Sequence, residues 1–321
     1  MERVQHMLEV AGPQAARIAE LWWFFVALTA IFFAGIMAAL LLAVLRAPRA
    51  DAATPADADA MRRPERGAKL AVTSALALAV AGLFALTLSS VATDRALAQL
   101  PLQGAVNINV TGNQWWWDVR YDDADPGRIF STANEIVIPV GKPVLLKLRA
   151  NDVIHSFWVP NLAGKKDLIP GHETTFHLRA DKAGTYRGQC AEFCGPQHAF
   201  MAFEVTAVPP EEFARWQEAQ RKPAPEPAGE REKRGRELFV TGTCQMCHAI
   251  AGTTASARRA PDLTHVASRR SLAAGRLQNT PENLAAWIVD PQRFKPGVNM
   301  PPHVIGQQDL DALVAYLRSL K

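Results

Sequence analysis

The chain has 321 residues, of which 49% are apolar and 21% charged, and a formal net charge of +4. That length holds two soluble domains, or one domain with membrane segments. Basic residues are dispersed and aromatics do not interleave with them, which excludes a nucleic-acid-binding face.

In chain order, the first features are two uncharged runs. Residues 21–45 read LWWFFVALTAIFFAGIMAALLLAVL and residues 70–91 read LAVTSALALAVAGLFALTLSSV. Each exceeds the roughly 20 apolar residues that cross a bilayer core. A buried soluble helix is rarely apolar on every face for so long. Residues 1–95 are therefore expected to form a transmembrane helical hairpin. The intervening loop carries Arg46, Arg49, Arg62, Arg63, Arg66 and Lys69, against Arg3 and Arg17 before the first span. Basic loops stay on the cytoplasmic side, so both termini are expected on the outer face. The sequence before the first span shows no leader with a cleavage site.

Residues 96–208 are expected to be all-β. VNINV alternates, QWWWDVRY is aromatic-rich, and EIVIPVGKPVLLKLRA is two strand-like runs around a Gly-Lys-Pro turn. HETTFHLRA and MAFEVTAV add two more at sandwich-like spacing. This region holds two of the chain's four cysteines, in CAEFCGPQHAFM from Cys190 to Met201. Thiolate, imidazole and thioether are soft to borderline donors that suit copper. A single blue copper needs one Cys, whereas Cys190 and Cys194 can bridge two ions. A second imidazole comes from His155, read as ending a strand-like run. The expected binuclear set is His155, Cys190, Cys194, His198 and Met201, with the Glu192 carbonyl as the second weak axial donor. Both thiols must lose their protons to bind. Zinc on C-x3-C-x3-H and a simple disulfide are the competing readings, and His172 and His177 read as surface or structural residues.

Residues 209–229 follow, with a short helix over Glu211–Gln220 and a Pro-rich segment, Lys222–Gly229, read as a semi-rigid linker. Residues 230–321 look helical: GRELF, then CQMCH, then PENLAAWIVD and DLDALVAYLRSL. C-x-x-C-H is the attachment signature of c-type haem. Cys244 and Cys247 add to the porphyrin vinyls, and His248 becomes the proximal iron ligand. Met300, in KPGVNMPPH, is expected as the sixth ligand, because His/Met ligation raises the potential and closes the iron to oxygen. His303 and His265 are its rivals. This stretch resembles the all-α class I cytochrome c fold.

QWWWDVRY, HSFWVP, DLIPG and CAEFCGPQHAFM together resemble cytochrome c oxidase subunit II over roughly residues 15–208, and the fused haem domain is similar to that of caa3-type oxidases. The resemblance implies a multidomain membrane protein with a Greek-key cupredoxin domain carrying the CuA centre. It implies copper ligands at His155, Cys190, Glu192, Cys194, His198 and Met201, and a magnesium ion on the Glu192 side chain at the boundary with subunit I. It places the point where electrons enter among Trp115–Trp117, with Trp115 favoured; Trp116 and Trp117 read equally as packing. Asn113 stands where many members have His. Subunits I and III are implied partners, with cytochrome c or another respiratory donor, and the site is the bacterial inner membrane with the soluble domains on the periplasmic face. The implied enzyme is a terminal oxidase whose oxygen-reducing, proton-pumping site lies on another subunit. A CuA-bearing nitric oxide reductase subunit is the alternative. A quinol oxidase lacks the copper ligands, and a metallochaperone gains nothing from haem.

Overall fold

The computed structural model describes residues 3–47, 53, 55, 65–99 and 101–321. Arg49, Arg62 and Arg63 of the basic loop lie outside them. Contacts divide the chain into Arg17–Leu100 and a second unit made of Met1–Ala16 with Pro101–Lys321.

The first unit is two long helices. After the short strand β1 (Arg3–Val4), α1 runs Pro13–Arg46 and α2 runs Arg66–Ala98. Both extend past the apolar runs seen in the sequence. Their outward side chains, Phe33, Leu41, Leu45, Leu83 and Leu88 among them, are broadly exposed. That is the surface of a helix whose solvent is lipid. Gly82 lets the helices approach closely, since a Cβ there would meet the Phe32 ring at 3.2 Å.

The second unit opens with a β-sandwich. One sheet has the order β4-β3-β2-β6-β9, built from β2 (Val106–Asn113), β3 (Trp116–Tyr121), β4 (Phe130–Ala133), β6 (Val144–Ala150) and β9 (Thr174–Leu178). The other has the order β5-β11-β10-β7-β8, with β1 beside β10; its members are β5 (Glu135–Pro139), β7 (His155–Trp158), β8 (Lys165–Leu168), β10 (Gly184–Cys190) and β11 (Ala202–Val208). Side chains alternate in and out along β2, β3 and β6, as the pleat requires. The inward set makes the core: Ile108, Val110, Trp117, Val119, Leu146 and Leu148 face Ile138, Phe157, Phe203 and Val205. Phe157 and Phe203 stack with centroids 4.5 Å apart, and Trp117 meets Phe203 edge-on at 5.1 Å. Truncating a buried aromatic of this kind costs about 3–5 kcal/mol.

The Gly-Lys-Pro turn does not make a hairpin. β5 pairs with β11 and β6 with β2, both in parallel, so the turn carries the chain from one sheet to the other. Residues before the first apolar run also belong to the sandwich: β1 pairs with β10, and Asn161 donates to the His6 and Glu9 carbonyls at 3.0 and 2.8 Å.

α3 (Pro210–Gln220) packs Trp216 against Tyr121 and Phe130, at 5.2 and 5.5 Å between centroids. Residues 222–229 do not stand clear as a spacer. Ala224 N–H donates to the Ala251 carbonyl at 2.9 Å, and His265 Nε2 lies 3.1 Å from the Lys222 carbonyl. The helical part then folds as α4 (Glu230–Thr241), α5 (Pro281–Val289) and α6 (Gln307–Ser319), with a minimal hairpin of β12 (Ser271–Leu272) and β13 (Leu277–Gln278). α4 and α6 touch at Gly235, where a Cβ would sit 2.1 Å from the Ala312 carbonyl oxygen. Only glycine permits so close a crossing.

Asp118 of β3 is shielded from water but lies near Arg258, Arg120 and Arg269; burial outweighs those charges and raises its pKa from 3.8 to about 6. The folded chain therefore holds that proton where the unfolded chain has lost it. Between these values stability falls as pH rises, and the full penalty applies above about 6. Asp118→Asn is expected to match the parent near pH 4 and to exceed its stability by on the order of 2 kcal/mol at neutral pH. Denaturant unfolding at stepped pH checks this; a gap that is constant with pH contradicts it.

Candidate metal centre and haem cavity

The six donors named from the sequence converge at one end of the sandwich. Cys190 closes β10, His155 opens β7, and Cys194, His198 and Met201 lie on the loop to β11. His155 thus begins a strand rather than ending one. The two Sγ atoms are 3.8 Å apart. Cys190 Sγ lies 3.9 Å from His155 Nδ1 and 3.2 Å from the Glu192 carbonyl. Cys194 Sγ lies 3.6 Å from His198 Nδ1 and 3.8 Å from Met201 Sδ. His155, Cys190 and Cys194 form a buried group with ligand atoms close enough to hold a metal ion. Each sulfur has its own imidazole and its own weak donor, which is the symmetry a two-ion site needs. The donor set fits copper.

The electrostatics agree. With two thiols in contact, one proton serves both. The Cys194 hydrogen bond draws Cys190 down to about 4, while Cys194, facing that thiolate, is pushed up. Burial alone would lower His155, but the Cys190 thiolate and Asp152 raise it. Asp152 Oδ1 lies 2.8 Å from His155 Nε2, and its Oδ2 accepts from the Gln114 N–H at 2.6 Å. This fixes the ring so that Nδ1 faces the sulfurs. Outer partners of this kind orient metal-binding imidazoles. Gly112 completes the seat, since a Cβ there would lie 2.7 Å from the ring. Neither Asp152 nor Gly112 was singled out from the sequence. An acidic residue three positions before His155 was the available signal.

The second site is a cavity of about 400 Å³ walled by Cys244, Cys247, His248, Met300, His303 and Trp287, with Trp115 and Trp116 closing one side. Neither cysteine is in a disulfide. His248 Nδ1 is 2.7 Å from the Pro261 carbonyl, which leaves Nε2 as the free nitrogen. Burial lowers its pKa, favouring the neutral, ligating imidazole. Gln292 Nε2 donates to the Met300 carbonyl at 2.9 Å and holds that loop. His303 also lines the cavity, and its Nδ1 is buried without a hydrogen-bond partner among the described residues. His265 does not reach it: both ring nitrogens are engaged, by Lys321, Gln220 and Lys222 carbonyls. Paired thiols, an imidazole favoured in its neutral form and a thioether, all lining one largely apolar cavity, fit a covalent haem.

The three tryptophans separate. Trp117 is core, its ring 6.0 Å from that of His155. Trp115 is 6% exposed, and its Nε1 donates to the Cys194 carbonyl at 2.9 Å. Asn113 is tied locally, accepting from Asn151 at 2.7 Å. The Glu192 carboxylate, 44% exposed, points to the surface 3.9 Å from Lys165 Nζ.

Two family models match. One is "Cytochrome C oxidase subunit II, periplasmic domain" over residues 124–208; the other is "Cytochrome c" over residues 232–321. The chain carries a cytochrome c oxidase subunit II periplasmic domain joined to a cytochrome c domain. Cytochrome c oxidase subunit 2 of Alkalihalophilus pseudofirmus is 42% identical over 67% of this chain and 61% of that relative. The Bacillus subtilis protein of the same name is 34% identical over 68% of this chain and 63% of its own length. The chain thus spans about three fifths of the length of these relatives. A crystal structure of the periplasmic domain of subunit II from Bradyrhizobium japonicum aligns at 35% identity, covering 36% of this chain and 92% of that one, with a TM-score of 0.34. The chain is membrane-anchored, with a periplasmic β-sandwich of cupredoxin type and an all-α cytochrome c domain after it. Its two domain families imply copper and haem c.

Proposed function

We propose that this chain is the electron-transfer subunit II of a caa3-type cytochrome c oxidase, standing between a respiratory donor and a partner that reduces dioxygen and pumps protons. His155, Cys190, Glu192 through its carbonyl, Cys194, His198 and Met201 would hold the binuclear copper. Cys244 and Cys247 would hold haem c covalently, with His248 and Met300 on the iron. When bound, the haem and the copper pair each supply a one-electron carrier, and sharing an electron over two ions and two sulfurs keeps bond changes small.

The residues supply the rest. Asp152, Gly112 and the β7–β10 pair hold the ligands stiffly. Trp115 is the observation that carries the reading. Its indole N–H is bonded to the Cys194 carbonyl while the residue also lines the haem cavity. One side chain therefore touches both centres. The Glu192 carboxylate, at the surface beside Lys165, would take magnesium at a boundary with subunit I, and subunit III would complete the complex. The hairpin of residues 1–95 would anchor the chain in the inner membrane, with the copper domain (96–208), the linker (209–229) and the cytochrome domain (230–321) on the periplasmic side.

The test is rapid reduction of the haem in the purified chain, followed by copper absorbance. Transfer from haem to copper should be first order and independent of protein concentration, because donor and acceptor share one chain. Copper that stays oxidised beside reduced haem, or a rate that scales with concentration, sinks the reading.

A further inference from the structure

Lys295 is 2% exposed, five residues before Met300, and its charge has no carboxylate partner among the described contacts. Its Nζ donates to three backbone carbonyls: Trp115 at 2.7 Å, Phe200 at 2.9 Å and Ala273 at 3.2 Å. The first two belong to the β-sandwich and the third to the cytochrome domain. An ammonium has three donors and no acceptor, so this cage uses it completely. Burying a cation with no paired charge is costly: burial lowers the Lys295 pKa to about 7, and the three carbonyls offset part of that cost.

The acceptors are not arbitrary. Trp115 is the residue shared by the two centres, and Phe200 directly precedes the thioether of Met201. The same seam carries further contacts. Gln197 donates to the Pro296 carbonyl at 2.8 Å, Ala202 N–H to the Ala274 carbonyl at 3.1 Å, and Arg276 lies over the Phe200 ring at 4.3 Å. A Cβ on Gly297 would touch the Trp115 ring at 3.6 Å. The loop that presents Met300 is thus seated on the two segments that present Trp115 and Met201.

We infer that Lys295 is a docking pin, a positioning residue that fixes the cytochrome domain on the electron-receiving face of the copper domain. Its purpose rests on the proposed electron path, but the pin itself does not. Removing the ammonium leaves three carbonyls in a dry seam with no donor, so the two faces part.

Amide hydrogen exchange on the full purified chain tests this, because it needs neither metal nor haem reactivity. In Lys295→Met, which keeps side-chain length, exchange of the Ala202 amide and of segments 113–117, 269–276 and 294–298 should quicken by about 10-fold or more. Amides of the β2–β6 ladder and of the α4–α6 pair should keep their protection. Lys295→Gln, which restores part of the donor set, should fall between. Haem-to-copper transfer should slow in the same order. Unchanged exchange along the seam overturns the pin, as does exchange rising equally in the seam and in both cores. Where Lys295→Met does not accumulate, Lys295→Gln is judged by the same two criteria. Absent transfer in the parent chain, with the exchange pattern as expected, overturns the electron path and leaves the pin standing.

Discussion

Cys194→Ser is expected to abolish the two-copper centre while leaving the haem untouched. Cys194 is the hub of the site: its sulfur is within 3.8 Å of the Cys190 sulfur, the His198 nitrogen and the Met201 sulfur. A serine hydroxyl is a hard, weakly acidic donor that offers no bridging sulfur. The loss should exceed the roughly 10–100-fold that removal of an outer partner costs a metal site. Metal analysis should show copper falling to one ion or fewer per chain. Electron paramagnetic resonance should lose the pattern of an electron shared between two nuclei. Haem per chain should stay at the parent value, because Cys244 and Cys247 lie in another domain with its own core. An unchanged two-copper signal would remove the binuclear reading and the proposed function with it.

How far the sequence disclosed these sites follows from how their residues are spaced. Cys190, Cys194, His198 and Met201 fall within one short run, as do Cys244, Cys247 and His248, so their chemistry is written in consecutive letters. Helices with uniform apolar faces are equally plain. Pairing is different. A period-2 pattern marks the buried face of a strand but not its neighbour, so β5 and β6 could be seen as strands without showing that they lie in different sheets. β10 was not read as a strand, because GTYRGQC offers little hydrophobic alternation. The N-terminal residues that bond to Asn161 look like an ordinary flank in the sequence. Their partners are more than 150 positions away.

Contacts made across domains are the least visible of all. Lys295 sits in a stretch, RFKPGVN, that reads as a solvated loop. Nothing local says that its ammonium reaches a carbonyl 180 positions earlier. The linker misleads for a related reason. Proline-rich composition describes how a free segment behaves, yet Ala224 and Lys222 are bonded to the domain that follows. A tether raises effective concentration, but a docked seam fixes geometry as well. The structure shows the second, with Trp115 bonded to the Cys194 carbonyl and lining the cavity of Cys244 and Cys247.

Met300→Ala should keep the haem covalently attached and lower its midpoint potential by on the order of 100 mV or more, since axial ligands span about 0.8 V in haem proteins. The loop itself should survive the change. Gln292 binds it at three points, donating to the Val298 and Met300 carbonyls at 2.8 and 2.9 Å and accepting from the Gly297 N–H at 2.7 Å. The substitution therefore removes a ligand and not a fold. His303 shares the cavity and has a buried ring nitrogen without a hydrogen-bond partner among the described residues. An imidazole taking the vacated position would also lower the potential, because it is the thioether that raises it. Redox titration of the intact chain decides the point, and haem retained on the denatured polypeptide shows that attachment through Cys244 and Cys247 is independent of it. A potential equal to that of the parent would mean that Met300 is not on the iron. The donor half of the path would then need a different sixth ligand, and Met300→Ala with His303→Ala would identify whether the second histidine already holds that place.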